Sequence, residues 1–200
     1  MRRVKHRSRI ASPALAPTGL LELITERHWS SGKPLTAITS NPATPRPLLK
    51  RLLAHPDGST RRAAALHPNL PATDLADAAR DAIDSADLDH ATSLLTILAR
   101  RPDTSARDLW WLINWTTKNK RGQIGALLYA AANPNTPHKS LRALHQLATE
   151  TGNHALLEGL AANPHLPHDL ARELLNCDKE TRRALAQAAH RHPRDVQERL

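Results

Sequence analysis

A short tetrad, Asn/His-Pro-x-x-Pro, returns again and again along the 200 residues and leaves few architectures open. The clear copies are Asn41-Pro42-Ala43-Thr44-Pro45, His67-Pro68-Asn69-Leu70-Pro71, Asn133-Pro134-Asn135-Thr136-Pro137 and Asn163-Pro164-His165-Leu166-Pro167. Arg101-Pro102-Asp103-Thr104-Ser105 and His192-Pro193 are weaker copies. Their first prolines, 42, 68, 102, 134, 164 and 193, are 26, 34, 32, 30 and 29 residues apart. A period of this size is the signature of a repeat architecture. The residue before a proline is pushed out of the α region, so the preceding helix stops there. Asn tolerates the left-handed conformation that closes a helix. The second proline is welcome in a helical first turn, where its missing N–H costs nothing. Each tetrad therefore reads as helix stop, tight turn, helix start.

Between the tetrads, apolar residues keep a helical period: Leu48, Leu49, Leu52 and Leu53, then Leu94, Leu95 and Leu98, then Leu141, Leu144 and Leu147, then Leu170, Leu174 and Leu175. Ala-rich runs such as Ala63-Ala64-Ala65 let neighbouring helices approach closely. Short amphipathic helix pairs bury their apolar faces only by stacking on the next pair, which predicts an all-α fold, an α-solenoid of short stacked repeats. With no Phe, one Tyr and four Trp, the composition disfavours an all-β alternative. Apolar runs such as Leu127 to Ala132 fall far short of the ~20 residues that span a bilayer. The expected organisation is a flexible basic arm over residues 1–17 and a repeat solenoid over 18–200.

The stretch Leu53-Ala54-His55-Pro56-Asp57-Gly58-Ser59-Thr60-Arg61-Arg62-Ala63-Ala64-Ala65-Leu66-His67-Pro68-Asn69-Leu70-Pro71 resembles the leucine-rich repeat variant, a HEAT-like helical repeat. So does Leu160-Ala161-Ala162-Asn163-Pro164-His165-Leu166-Pro167 with its continuation through Leu174-Leu175. The resemblance spans roughly residues 35–195. It is clear at 41–75 and 133–193 and poor at 76–130, where the units are longer. It implies a helical superhelix that serves mainly as a binding scaffold. Some members of that family carry an N-terminal cysteine cluster for an iron–sulfur centre; the single Cys177 does not carry that role over.

Little in the chain points to chemistry. The twelve histidines include His165-x-x-His168 beside Asp169, and His190 with His192, but no third ligand stands at a familiar metal spacing. The seven glycines form no phosphate-binding loop, and no nucleophile elbow is present. The expectation is a metal-free protein without cofactor or catalytic residues. The minor enzymatic alternative is a HEAT-like DNA glycosylase, which Asp108 with Trp111 or Trp115 superficially echoes.

Candidate partner-binding residues fall in three groups. Asp57-x-x-Thr60-Arg61-Arg62 and Asp178-x-x-Thr181-Arg182-Arg183 match in register. Arg61 and Arg182 are expected to join Asp–Arg ladders between units, while Arg62 and Arg183, about 100° further round the helix, face a partner. A helix capped by Thr104-Ser105 places Leu109, Leu112 and Ile113 on one side and Trp110, Trp111, Asn114 and Trp115 roughly opposite, with Lys118, Lys120 and Arg121 following. Those tryptophans suit burial in the core, a partner or dimer contact, or a platform for nucleic acid. The arm contributes Arg2, Arg3, Lys5, Arg7 and Arg9, with no acid, to a net charge of +9. Against it stand Asp74, Asp77, Asp81, Asp84, Asp87 and Asp89, which suit helix N-termini or a basic docking partner, the arm included.

The leading functional expectation is thus a non-catalytic scaffold whose curved surface holds a protein or peptide. The alternative is sequence-tolerant binding of nucleic acid through the arm and the repeat surface. Neither involves a membrane. The preponderance of Arg over Lys, with heavy Ala and Pro, suits a bacterial chain from a GC-rich genome and a cytoplasmic setting.

Overall fold

The computed structural model describes residues 18–29, 35–119 and 124–176. Eleven helices and no strand are found among them: α1 (Thr18–Trp29), α2 (Thr36–Thr39), α3 (Arg46–Leu53), α4 (Gly58–Ala65), α5 (Ala72–Asp84), α6 (Leu88–Arg100), α7 (Ala106–Asn119), α8 (Ile124–Ala132), α9 (His138–Thr151), α10 (His154–Ala161) and α11 (His168–Leu175). The chain is an all-α helical repeat. It divides into two compact units, Met1–Leu94 and Leu95–Leu200, with the boundary inside α6.

In the first unit, Leu48, Leu49, Leu52 and Leu53 of α3, Leu70 of the tetrad and Leu75 of α5 are buried. Trp29 at the end of α1 meets His55 edge to face, with ring centroids 4.9 Å apart, and Arg51 lies over the same indole. In the second unit the core is Leu98, Leu109, Leu112, Leu141, Leu144, Leu160 and Leu174. Here α8 and α10 pack most closely. A Cβ on Gly159 would stand 2.8 Å from the Leu128 carbonyl oxygen, so a side chain there would force the two helices apart.

The tetrads do stop and restart helices, but by a different device from the one the sequence suggests. Among the described residues only Ala86, outside any tetrad, has a positive φ without being glycine. The first-position Asn is therefore not in the left-handed region. Instead each tetrad closes a turn in which the fourth residue's N–H donates to the first residue's carbonyl: Thr44 to Asn41, Leu70 to His67, Thr136 to Asn133 and Leu166 to Asn163. The first side chain also accepts from the third residue's N–H, as in Ala43 to Asn41, Asn69 to His67, Asn135 to Asn133 and His165 to Asn163. The second prolines, Pro45, Pro71, Pro137 and Pro167, are N-caps, one residue before the first helical turn, with φ between −73° and −58°. The fixed ring pre-sets that conformation, and each proline's carbonyl accepts one of the first helical N–H groups.

The same side chains tie successive units together. Asn163 Nδ2 donates to the carbonyls of Ala131 and Asn133, each at 2.7 Å. Asn133 Nδ2 donates to those of Ala99 and Arg101. His67, whose Nδ1 accepts from Asn69, meets the Asn41 carbonyl through Nε2 at 3.0 Å. From the third position, Asn69 bonds to the carbonyls of Pro42 and Thr44, and Asn135 to those of Pro102 and Thr104. Arg101, in the imperfect copy, pairs with Asp103 of its own turn. At the fourth position, Thr44 and Thr104 donate to carbonyls six residues back in the preceding segment, while Leu70 and Leu166 fill the same place as apolar core.

Candidate binding surfaces

In the first unit, α3, α4, α5 and the start of α6 enclose a cleft of about 280 Å³. Its lining carries both charges: Lys50 from α3, Arg61 from α4, Asp81 from α5, Asp87 from the α5–α6 turn and His90 from α6, with Leu53, Ala54, Ala78 and Ala82 as apolar lining. The turn from α5 to α6 contributes part of the lining. Ser85 caps α5, Ala86 takes φ 59°, and Asp87 then caps α6 by accepting from His90 N–H at 3.2 Å. Arg61 reaches Asp87 only at 3.7 Å, and its buried Nε has no hydrogen-bond partner. Burial, then the Arg61 charge, lowers the His90 pKa, with Asp87 opposing.

Arg61 does reach an aspartate of the following repeat, Asp87, whereas among the described residues Asp57 takes no part in such a pair. It caps α4, accepting from Thr60 N–H at 2.7 Å and from the hydroxyls of Ser59 and Thr60. Those bonds, the Ser59 hydroxyl foremost, pull its carboxyl down to about 2. Further inter-helix ion pairs lie elsewhere. Asp74 on α5 takes a two-pronged pair from Arg46 on α3, at 2.6 and 2.9 Å, with Lys50 at 3.3 Å. Arg142 on α9 pairs with Asp169 on α11. The signal for the first pair was present in the sequence: Arg46 follows one tetrad's second proline and Asp74 follows the next one's. Arg62 is exposed, as its helical position implies.

The acidic run splits by location. Asp74 and Asp89 sit in first turns and Asp87 is an N-cap, so the helix-dipole explanation covers them. Asp77 pairs with Arg80. Asp81 and Asp84 lie at the C-terminal end of α5, where the dipole disfavours a negative charge. That explanation fails for these two, and one of them lines the cleft.

The tryptophan helix of the second unit is not buried on its aromatic side. Leu109, Leu112 and Ile113 enter the core, whereas Trp110 is 50% exposed and Trp111 and Trp115 are half-buried. Arg107 and Lys118 are exposed on the same arc. Ser105 and Asp108 form the start of α7: Asp108 N–H donates to Ser105 Oγ, and Ser105 Oγ donates to the Asp108 carboxylate at 2.7 Å. The buried Asp108 is thus held in a capping arrangement, at the margin of the aromatic side.

Arg183, Lys120, Arg121 and the arm residues Arg2, Arg3, Lys5, Arg7 and Arg9 lie outside the described residues, as do Arg182, Cys177, His190 and His192. Among the described residues, no group of three His, Cys, Asp or Glu side chains is placed to hold a metal ion, and no helix is long and apolar enough to cross a membrane. Compared with protein-family models, curated proteins and solved structures, the chain matches none of them.

Proposed function

We propose that the chain is a non-catalytic helical-repeat scaffold, of the HEAT-like kind that its resemblance to the leucine-rich repeat variant implies. Its partner is a protein or peptide, held at the cleft of the first unit. The observation that carries this reading is the mixed charge of that cleft. Arg61 and Asp87 stand 3.7 Å apart, too far for a hydrogen bond. The accessible outer N–H groups of the partly exposed Arg61 guanidinium suit a ligand carbonyl or carboxylate. Asp81 and Asp87 supply the complement for a basic group, and the alanines supply apolar contact for its stem. A peptide offers both charges and an apolar stem within a few residues. The cleft volume suits one or two side chains. The Arg-rich composition supports a bacterial, cytoplasmic setting for this scaffold.

The test is to pan a random peptide library on the full-length protein. The expected result is a set of enriched peptides that carry a basic residue near an acidic or C-terminal carboxylate. Their affinity should fall at least tenfold on Arg61→Ala or Asp81→Ala. Failure to enrich any peptide, or enriched peptides indifferent to both substitutions, would overturn the reading.

A further inference from the structure

We propose that the outward face of α7 binds single-stranded nucleic acid, stacking bases on its tryptophans between the cations Arg107 and Lys118. The proposal is independent of the cleft, since α7 belongs to the second unit and the cleft to the first. Residues 107, 110, 111, 114, 115 and 118 fall within an arc of about 140° at 100° per residue, opposite the buried Leu109, Leu112, Ile113 and Thr116. No acidic residue lies within the arc; Asp108, at its margin, is buried and engaged by Ser105. A half-exposed tryptophan beside two more half-buried ones is apolar area that a solvated helix has no reason to carry.

Charge and spacing select the occupant. Arg107 and Lys118 stand eleven residues apart, about 16 Å along the axis, and the surface between them is aromatic. That order of cation, flat rings, cation suits a chain with recurring anions along one edge and flat groups along the other. Trp111 and Trp115 are one turn apart, about 6 Å, which is more than the ~3.4 Å rise of stacked bases. Each ring therefore takes its own base from a stretched strand, and a paired duplex has no base faces to offer. Asn114 donates Nδ2 to the Trp110 carbonyl at 2.8 Å, which leaves its Oδ1 to accept from a base amino group. An acidic peptide satisfies the two cations but supplies no flat groups for the rings. The buried leucines of α7 fix the face in advance, so binding orders side chains and not the helix.

The experiment is a fluorescence-anisotropy titration of the full-length protein with a labelled twelve-nucleotide oligo-uridine, over a range of salt. Trp110→Ala and Trp115→Ala should each weaken binding by about 5- to 100-fold, as loss of one base–aromatic stack does. The far-UV spectrum should stay unchanged. Arg107→Gln and Lys118→Gln should each lower the slope of log affinity against log salt by about 0.7. This separates the face from the basic residues elsewhere in the chain, whose contribution is purely electrostatic. Should Trp115→Ala unfold the protein, the half-exposed Trp110 carries the test alone. Three results would each overturn the proposal: no binding at low salt, affinity within twofold of wild type in folded Trp110→Ala, or displacement of the oligonucleotide by polyglutamate at equal charge. The last would identify an acidic peptide as the ligand.

Discussion

Asn163 donates from Nδ2 to the carbonyl of Asn133, the residue at the same position one tetrad earlier, at 2.7 Å. That bond turns a local helix stop into a link between repeats. Its other Nδ2 bond goes to Ala131, and its Oδ1 accepts from His165, so one buried amide serves two turns. Asn41 opens the series. Its Oδ1 accepts from Ala43, but its buried Nδ2 has no partner.

The asymmetry gives the first prediction. Asn163→Ala removes two inter-repeat bonds and one turn bond, so it should cost about 2–4 kcal/mol. Asn41→Ala removes the turn bond only and should cost about 1 kcal/mol or less. Urea denaturation of both variants checks the order. Equal losses would show that the amides act only within their own turns.

Ala86 and Gly152 occupy equivalent places, each 18 residues after the first proline of its tetrad. Both are left-handed, with φ of 59° and 64°, and the residue after each donates back to a carbonyl five residues earlier. Only glycine adopts this conformation without cost. Ala86→Gly should therefore stabilise the protein by roughly 1 kcal/mol, and Gly152→Ala should destabilise it by a similar amount. A thermal melt that falls for Ala86→Gly would contradict the assignment.

Gly159→Ala should destabilise by about 1–3 kcal/mol, because the new Cβ meets a backbone oxygen that has no rotamer to escape into. The loss should appear as faster amide exchange in α8 and α10 before the rest of the second unit.

Acid should act through Asp57 and Asp74. Both carboxyls titrate lower in the folded chain than the ordinary carboxylate value of about 3.9, Asp57 because of Ser59 and Thr60, and Asp74 chiefly because of the Arg46 hydrogen bond. The unfolded chain thus takes up these protons first. The stability they contribute is complete above about pH 4 and is lost as pH falls toward about 2. Ser59→Ala should raise the Asp57 midpoint toward its ordinary value in a carboxyl NMR titration. An unmoved midpoint would assign the shift to another cause.

The all-helical character and the helix stops were legible because proline and leucine spacing act locally. The roles of the tetrad side chains were not. Asn at a helix end suits a left-handed residue and an inter-repeat donor equally, and only the neighbouring repeat decides between them. Arg61 does reach across to Asp87, but the part of Asp57 was not legible for a related reason: Ser59 and Thr60 compete for its carboxylate at shorter range. The amphipathic split of α7 was readable from its period, but whether the aromatic side met another helix or solvent depends on neighbours that the helix's own sequence does not specify. The cleft was invisible for the same cause, since Lys50, Asp81 and His90 come from three helices.

The most direct test of the scaffold reading is amide chemical-shift mapping of the full-length protein titrated with a library-selected peptide. Saturable shifts centred on Ala54, Arg61, Ala78, Ser85 and His90, absent in Arg61→Ala, are expected. Shifts scattered over other surfaces, or confined to residues distant from the cleft, would contradict it.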